Sequence, residues 1–241
     1  KFENINKKIL ITGDRLTDPI YQYDVFGDSL GVLLSQTDGS SIPIVVRAKY
    51  HLTSRNYYIT ANVADVTAGT TYYATRSYYS LLVNASSMTA SRFIDVRTDD
   101  GEELSGIGEL FGRVHYFKPS SIHELNFTIL NLTGSGGDQI LTPLVSGFGC
   151  IAPRTLANTG QFYVFLAKDG IRMWDGGRRA RLTVTEESRI ISTQIEPVIN
   201  RMIEKGTYQN SCGIYYPKKQ WYVFSCEDPD KDPKGKANSV Y

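Results

Sequence analysis

Short runs of branched and aromatic residues, separated by turn residues, recur along the chain, and one such pattern is written twice between residues 102 and 175. Residues 111–117 are followed after a turn by residues 122–125, and residues 159–165 are followed in the same way by residues 171–174. Val, Ile, Tyr and Phe crowd these runs, and such side chains suit a pleated and mostly buried surface. Each copy therefore predicts a strand, a tight turn and a second strand.

The spacing of the copies predicts an array of stacked sheets. A looser third copy covers residues 219–224 and continues to residues 239–241, and the copies are anchored by Phe117, Phe165 and Phe224. The steps between the anchors are 165 − 117 = 48 and 224 − 165 = 59 residues. Periods of about 40 to 50 residues are typical of the four-stranded blades of β-propellers. We therefore predict an all-β fold, a β-propeller-like array of antiparallel blades, with too few recognisable copies in this segment to close a ring.

The other strand signals divide the chain into two regions. Residues 1–100 contain strand candidates without a clear repeat register and are interpreted as an N-terminal β region of early blades, whereas residues 101–241 carry the repeat. Asp–Gly pairs predict hairpin turns between strands. The strand candidates of the first region are residues 9–11, 20–26, 30–34, 43–50 and 57–63, the last two paired, and the Asp–Gly pairs begin at Asp38, Asp100, Asp169 and Asp175.

One segment departs from the β pattern. Residues 197–205 begin with Pro197, place apolar residues at positions 198, 199, 202 and 203, and are followed by Gly206. Proline is favoured in the first turn of a helix, and glycine just after its last residue. The pattern predicts one short helix near residues 197–205.

Composition narrows the classes of function. Twenty-six basic and twenty-five acidic residues give the 241-residue chain a formal charge of +1, which removes any global electrostatic basis for binding nucleic acid or a membrane surface. Sixteen tyrosines and ten phenylalanines favour an all-β protein with many edges and interfaces. No run reaches the roughly 18 apolar residues of a membrane-spanning helix. Because the chain starts at Lys1 and stops within a predicted strand, we expect a segment of a longer polypeptide.

The cysteines do not form a recognisable metal site. Cys150, Cys212 and Cys226 are odd in number and share no metal-ligand spacing. Free cysteine usually behaves as a small buried hydrophobe. We expect all three to be reduced and most of them buried.

An aspartate alternation near the end of the chain is similar to a calcium-binding loop. Asp228, Asp230 and Asp232 alternate with other residues as the first three ligands of such a loop do. Pro233 and Ser239, however, stand where the loop requires a glycine and a bidentate glutamate. The segment is interpreted as a solvated loop, and we predict no metal site and no cofactor.

One motif favours an enzyme at first sight. Residues 27–31, Gly-Asp-Ser-Leu-Gly, fit the spelling of a nucleophile elbow and resemble the first block of the GDSL esterase family. A nucleophilic Ser29 would need a histidine base, which in that family follows an aspartate by three residues. Ala48, Gly112 and Ser120 stand three residues before the three histidines, so no Asp-x-x-His exists. We interpret residues 27–31 as a hairpin turn, keep a GDSL-like hydrolase as a remote alternative, and predict no catalytic residue.

The histidines and a group of acidic residues are further catalytic candidates. The histidines occur singly on strand patterns, where an interfacial or solvent-facing ring is commoner than a base or a metal ligand. Four acidic residues surround Gly101 and could hold paired carboxylates for glycoside chemistry. A charged hairpin tip is the simpler interpretation. The histidines are His51, His115 and His123, and the acidic residues are Asp99, Asp100, Glu102 and Glu103.

The densest basic group consists of Arg178, Arg179 and Arg181. These arginines could begin a solvated strand that faces Glu186 and Glu187. They could also contact an acidic neighbouring subunit, or line a nucleic-acid channel once the protein oligomerises. They are therefore the candidate channel or subunit-interface residues.

The middle of the chain resembles a known family. The resemblance is carried by Ser-Arg-Phe-Ile-Asp-Val at 91–96, Glu-Glu-Leu-Ser-Gly-Ile at 102–107, Phe-Gly-Arg-Val at 111–114, residues 117–125, Gly-Phe-Gly-Cys-Ile-Ala-Pro-Arg at 147–154, and residues 165–175 and 185–203. Together these residues look like the β-propeller of neck and tail structural proteins of tailed bacteriophages. That family includes nozzle, tail-hub and packaged-DNA stabilisation proteins. The likeness spans about residues 80–226 and rests on pattern rather than on a catalytic signature.

The resemblance implies a structural role in a virion. Several copies would form a homo-oligomeric ring in the neck or tail, attached below the portal and adaptor proteins and enclosing the channel through which DNA is ejected. Contact with the passing genomic DNA would be non-specific, and assembly would take place in the cytoplasm of the infected bacterium. The alternative is a propeller-type binding module, an adhesin for a host glycan or protein, whose exposed aromatic residues would cluster at one rim.

Overall fold

The computed structural model describes residues 2–13, 16–33, 46–127, 139–177, 188–227 and 239–240. Within these ranges the strands form five antiparallel sheets, numbered 1 to 5 in chain order. The all-β prediction is confirmed. The strands of sheet 1 are β1 (Phe2–Ile5), β2 (Lys8–Ile11), β3 (Tyr21–Asp24) and β4 (Ser29–Val32), and those of sheet 2 are β5 (Val46–Ser54), β6 (Tyr57–Asp65), β7 (Thr71–Tyr79) and β8 (Phe93–Asp95).

The other three sheets follow the same plan. Each strand pairs with the next strand along the chain, so every sheet is a meander. Sheet 3 contains β9 (Gly106–Leu110), β10 (Arg113–Phe117), β11 (Ser121–Phe127) and β12 (Gln139–Ser146); sheet 4 contains β13 (Ala157–Asn158), β14 (Tyr163–Ala167), β15 (Gly170–Trp174) and β16 (Ser188–Ile190); sheet 5 contains β17 (Cys212–Tyr216), β18 (Trp221–Cys226) and β19 (Ser239–Val240).

The repeated sequence pattern occupies equivalent strands. Phe117, Phe165 and Phe224 all lie on the second strand of their sheets, β10, β14 and β18. Phe117 pairs with Ile122 across the first predicted hairpin, and Leu166 pairs with Ile171 across the second. The three copies therefore mark the same position in three successive meanders.

The turn residues differ from those predicted. Of the three Asp–Gly pairs that the structure describes, Asp169–Gly170 belongs to a hairpin, between β14 and β15, whereas Asp100–Gly101 lies in the connection from sheet 2 to sheet 3. Asp175–Gly176 follows β15, and the rest of the connection to β16 lies outside the described residues. The tight hairpins β1–β2, β5–β6 and β9–β10 instead turn at residues 6–7, 55–56 and 111–112, whose φ angles are all positive. Positive φ at both central residues suits the twist of the flanking strands. Residues other than glycine adopt it where the pairing of the strands compensates the strain. Asp38 lies outside the described residues.

The chain divides into two compact units, Lys1–Ile107 and Gly108–Tyr241. In the first unit, sheet 1 packs against one face of sheet 2. Leu10 and Ile20 of the first-sheet region are fully buried against a layer that contains Tyr58 and Val63. Burial of such side chains is the main stabilising contribution to a fold.

In the second unit, sheet 4 is covered on both faces. Phe165 and Trp174 on one face pack against Phe117 of sheet 3. Val164 and Leu166 on the other face belong to a cluster with Phe224 of sheet 5 and with the helix described next. Because side chains alternate along a strand, β14 needs apolar residues at every position, and all five of its residues are buried. Sheets 3, 4 and 5 therefore stack face to face in chain order.

The predicted helix is present as α1 (Glu196–Glu204), offset by one residue from the expected 197–205. Pro197 lies in its first turn, and Gly206 follows with a positive φ of 71°. Ile199 and Met202, three residues apart, are buried on one side of the helix. Short 3-10 helices cover Pro153–Thr155, Thr193–Ile195 and Thr207–Asn210.

Candidate interaction surfaces

The side of sheet 1 that faces away from sheet 2 is apolar and exposed. Residues paired across an antiparallel ladder lie on the same face, so the register groups them into two rows. Leu30 keeps 65% of its surface exposed and Phe2 keeps 71%. We call this the first-sheet face; its rows are Phe2, Ile11, Tyr21 and Val32, and Asn4, Ile9, Tyr23 and Leu30.

Acidic side chains border the first-sheet face at the β3–β4 turn. The Tyr23 hydroxyl donates a 2.6 Å hydrogen bond to the carboxylate of Asp28. The backbone N–H groups of Phe26 and Gly27 donate to the Asp24 carboxylate at 3.0 Å, and these bonds hold the pKa of Asp24 below its usual range. Lys7 contributes a cation at the same end of the sheet, 4.5 Å from the centre of the Phe26 ring.

Sheet 5 presents a second exposed apolar face, on the side away from sheet 4. Phe224 and Cys226 point toward sheet 4 and are buried, so the alternate residues of β17 and β18 point outward. Trp221 is 56% exposed and Ile214 is 67% exposed. We call this the last-sheet face; its members are Cys212, Ile214, Tyr216, Trp221, Val223 and Ser225.

Basic side chains border the last-sheet face. Lys218 and Lys219 lie in the exposed turn between β17 and β18. The ammonium group of Lys219 lies 4.6 Å from the centre of the Trp221 ring, which places its charge on the same side of the sheet as the apolar residues. The face is therefore an apolar patch with a cationic edge.

Sequence reasoning missed both surfaces, although the chain contains a signal for them. Residues 9–11 of β2 and residues 214–216 of β17 are uninterrupted apolar or aromatic runs. Such a run in a strand shows that both of its faces are apolar. The sequence does not state which of the two faces another sheet covers.

Ser29 lies where the hairpin prediction placed it. Residues 25–28 form the turn between β3 and β4, and Ser29 is the exposed first residue of β4, paired with Asp24. The predicted hairpin is present, but its turn covers residues 25–28 rather than 27–31, since residues 29–31 belong to β4.

The histidines are not solvent-facing, so that part of the prediction was wrong. All three rings are buried, because polar neighbours satisfy one ring nitrogen of each. A hydrogen bond of 2.9 Å joins His51 Nδ1 to the hydroxyl of Tyr58, and one of 3.1 Å joins His123 Nε2 to Ser121 Oγ. His115 belongs to a cluster between sheets 3 and 4.

That cluster contains charged as well as aromatic groups. His115 Nδ1 lies 3.2 Å from the hydroxyl of Tyr163, and His115 Nε2 lies 3.9 Å from a carboxylate oxygen of Glu124. Arg113 donates a 3.1 Å hydrogen bond to the same carboxylate. Burial and the nearby Arg113 charge lower the pKa of His115 to about 4, so the ring is neutral at pH 7.

The acidic group around Gly101 is not a hairpin tip, because it lies in the connection between β8 and β9. Arg97 Nε lies 3.5 Å from Asp99 and 3.8 Å from Asp100. On Glu103, burial opposes ionisation, but hydrogen bonds of 2.9 Å from Lys49 and Asn62 hold its pKa below the usual range. The carboxylates are thus divided between different basic partners.

Several predicted features lie outside the described residues. These are Arg178, Arg179 and Arg181, and the aspartate alternation at Asp228, Asp230 and Asp232. In the described ranges, no group of three or more His, Cys, Asp or Glu side chains is arranged to hold a metal ion. The same part of the chain contains no helix with the length and apolar character needed to cross a membrane. Its three cysteines form no disulfide; Cys150 and Cys226 are buried as expected, whereas Cys212 is exposed.

No protein-family model matches the chain, and no curated protein matches its sequence.

Proposed function

We propose that the chain is a structural protein of a tailed-phage virion, with its successive sheets acting as blades of a β-propeller. In this proposal several copies form a ring in the neck or tail, as a nozzle or hub, below the portal and adaptor proteins. The ring encloses the channel for DNA ejection, and it works through shape and subunit contacts without a catalytic step or a cofactor. It is located in the virion after assembly in the cytoplasm of the infected bacterium.

The observation that carries the proposal is the contact between equivalent residues of successive repeats. Phe117 and Phe165 are 48 residues apart, the repeat step, and their ring centres lie 5.4 Å apart between sheets 3 and 4. Equivalent positions meet in this way when each repeat forms one sheet and the sheets stack in sequence. Four-stranded meanders stacked in sequence are the blades from which propellers are built.

The exposed apolar faces support a subunit role over an adhesin. Large exposed apolar patches mark sites of interaction with other proteins or ligands. Tyr21 and Trp221 lie on the flat strand faces of sheets 1 and 5, with Phe2 and Tyr216 beside them. A glycan-binding or protein-binding rim would gather its aromatic residues in loops at one edge. Flat strand faces suit the packing of a further sheet.

The charge distribution fits a channel that does not hold DNA tightly. The formal charge of +1 leaves little long-range attraction for a polyanion. We propose that Arg178, Arg179 and Arg181 supply the local contacts, either with the passing DNA or with a neighbouring subunit. Contacts with phosphate groups would be independent of base sequence.

Electron microscopy tests the proposal most directly. The chain, alone and mixed with portal and adaptor proteins encoded in the same genome, is expected to give rings with a central channel that dock beneath the portal. Mass spectrometry of purified virions is expected to detect the chain. Failure to dock together with absence from virions would overturn the proposal.

Two further measurements address the alternatives. Binding to a host glycan on an array, with no association with the portal, would favour the adhesin. Esterase activity that Ser29→Ala abolishes would favour the hydrolase. Changing Arg178, Arg179 and Arg181 to Ala distinguishes the two proposed roles of these arginines: loss of DNA contact alone indicates channel residues, and loss of subunit association indicates interface residues.

A further inference from the structure

Two polar side-chain atoms between sheets 3 and 4 are buried without a partner. The side chain of His115 is 1% exposed, and Trp174 is fully buried. Neither His115 Nε2 nor Trp174 Nε1 makes a hydrogen bond of ordinary geometry within the ranges that the structure describes. The two rings meet edge to face with their centres 5.3 Å apart, so both nitrogens belong to one cluster. Folded proteins satisfy nearly all buried polar atoms, because an unpaired one is costly.

The Nε2 atom of His115 lies beside oxygen acceptors. Glu124 pairs with His115 across the β10–β11 ladder, and its carboxylate oxygen lies 3.9 Å from Nε2, which is too far for a direct hydrogen bond. Burial and Arg113 lower the pKa of His115, and the backbone carbonyl of Gly176 acts in the opposite direction, as an acceptor beside the ring does. A ring nitrogen beside a carboxylate and a carbonyl is stabilised when it carries the proton.

Tyr163 fixes the tautomer of His115. Burial keeps this histidine neutral at pH 7, so its ring carries a single proton. With that proton on Nε2, the Nδ1 atom is an acceptor, and the Tyr163 hydroxyl 3.2 Å away donates to it. Burial and the charge of Glu109 hold the pKa of Tyr163 well above its usual value, which keeps the hydroxyl protonated. His115 and Trp174 therefore each hold a buried N–H group that needs an acceptor.

The turn after β15 closes this part of the interface. Gly176 and Gly177 have positive φ angles of 77° and 70°. A Cβ atom on Gly176 would lie 2.9 Å from Leu110, and one on Gly177 would lie 3.2 Å from Leu144, so the turn packs closely against sheet 3. The same two Cβ positions lie 3.8 Å from the histidine and tryptophan rings. The polar groups of the cluster are therefore shielded from bulk solvent.

We propose that an ordered water molecule is bound in this cluster, between sheets 3 and 4. It accepts hydrogen bonds from His115 Nε2–H and Trp174 Nε1–H. It donates to the Glu124 carboxylate and to the Gly176 carbonyl. Buried waters make about 2 to 4 such bonds, and one water bridges two polar atoms that are 3.9 Å apart. The water thus joins β10 and β11 of one repeat to β15 and the following turn of the next.

Nuclear Overhauser spectroscopy of the ¹⁵N-labelled 241-residue chain tests the site. The chain contains two tryptophans, so it gives two indole N–H signals, which Trp221→Phe assigns. Trp174 Nε1–H is expected to show a cross-peak to water whose intensity does not change with pH near neutrality. Trp221, which is 56% exposed, is the internal control, because base-catalysed exchange with solvent should make its cross-peak grow with pH. A long-range nitrogen–proton spectrum is expected to place the His115 proton on Nε2.

Two variants separate a bound water from other sources of the cross-peak. Tyr163→Phe removes a hydroxyl proton that could relay magnetisation from solvent, and the cross-peak should persist. Glu124→Met replaces the carboxylate by an apolar side chain of similar length, and the cross-peak should be lost. If Glu124→Met fails to fold, a high-resolution crystal structure of the unmodified chain decides instead. It is expected to show one ordered water within about 3.2 Å of both His115 Nε2 and the Glu124 carboxylate.

Four outcomes would overturn the proposal. The first is a Trp174 Nε1–H signal without a water cross-peak in spectra where Trp221 gives one. The second is a His115 proton on Nδ1, and the third is a folded Glu124→Met variant with the full cross-peak. The fourth is a crystal structure in which Glu124 bonds directly to Nε2 with no ordered water beside them. None of these results bears on the proposed function, because the site lies inside the folded chain.

Discussion

His115 and Tyr163 stand 48 residues apart in the chain and hydrogen-bond across two stacked sheets. The Nδ1 atom of His115 lies 3.2 Å from the Tyr163 hydroxyl, and the two rings meet edge to face with centres 5.5 Å apart. The pair lies two residues before Phe117 and Phe165 in the respective strands. A buried polar pair therefore fixes the register of one repeat against the next.

This pair should make stability depend on pH. The pKa of His115 is lowered from 6.5 to about 4 by burial and by Arg113. Between these two pH values the unfolded chain therefore binds a proton at this histidine and the folded chain does not. The free energy of unfolding should therefore fall as the pH decreases from 6.5 to about 4, by roughly 3 kcal/mol from this residue. Urea unfolding at several pH values measures this free energy. The substitution His115→Gln should remove the part of its pH dependence that comes from this residue.

Tyr163→Phe is the matched control for that experiment. It removes the hydroxyl that bonds to His115 but leaves the histidine able to titrate. The free energy of unfolding should fall by about 1–2 kcal/mol at neutral pH because a buried bond is lost. The dependence of the free energy of unfolding on pH between pH 4 and 6.5 should remain. An unchanged slope in His115→Gln would contradict the assignment of the pH dependence to this residue.

The stacked aromatic residues should dominate the stability of the second unit. Phe165 is fully buried and contacts Phe117, and its truncation would leave a cavity between sheets 3 and 4. Phe165→Ala is expected to lower the free energy of unfolding by about 3–5 kcal/mol in chemical denaturation. Phe26→Ala, which truncates a ring that is 76% exposed, should change it by less than about 1 kcal/mol. Equal effects of the two substitutions would contradict the packing described here.

Gly149 should tolerate no side chain. A Cβ atom at this position would overlap the backbone carbonyl oxygen of Lys118, which cannot move without disturbing the β10–β11 hairpin. Gly149→Ala should therefore lower the free energy of unfolding by about 1–3 kcal/mol. Gly31, whose Cβ would meet nothing within 4 Å, is the control, and Gly31→Ala should be close to neutral. A thermal unfolding midpoint for Gly149→Ala equal to that of the parent chain would show that the loop can shift.

The cysteines should differ in reactivity. Cys212 is exposed, whereas Cys150 and Cys226 are buried, and burial raises the pKa of the Cys150 thiol to about 12. A maleimide should therefore label one thiol in the native chain and three after unfolding. Rapid labelling of Cys150 in the native chain would contradict its burial.

Local sequence determined which strands pair. The runs around Phe117 and Phe165 contain their own turns, so each hairpin follows from residues close together in the chain. Pro197 and Gly206 likewise fixed the ends of helix α1 to within a residue. These elements could be predicted because the interactions that form them span only a few residues. The turns at residues 6–7 and 55–56 could not, because neither contains the glycine that usually marks positive φ.

Only the tertiary structure decided which face of each sheet is covered, and which neighbouring residues cover it. Alternation in a strand separates two faces but does not identify the neighbour of either, so the burial of His51, His115 and His123 was missed. For the same reason the apolar runs at residues 9–11 and 214–216 did not reveal that one face of each stays exposed. The sequence by itself determined an all-β chain of repeated antiparallel hairpins with one short helix. The stacking of its sheets depends on contacts between residues tens of positions apart, which no local pattern contains.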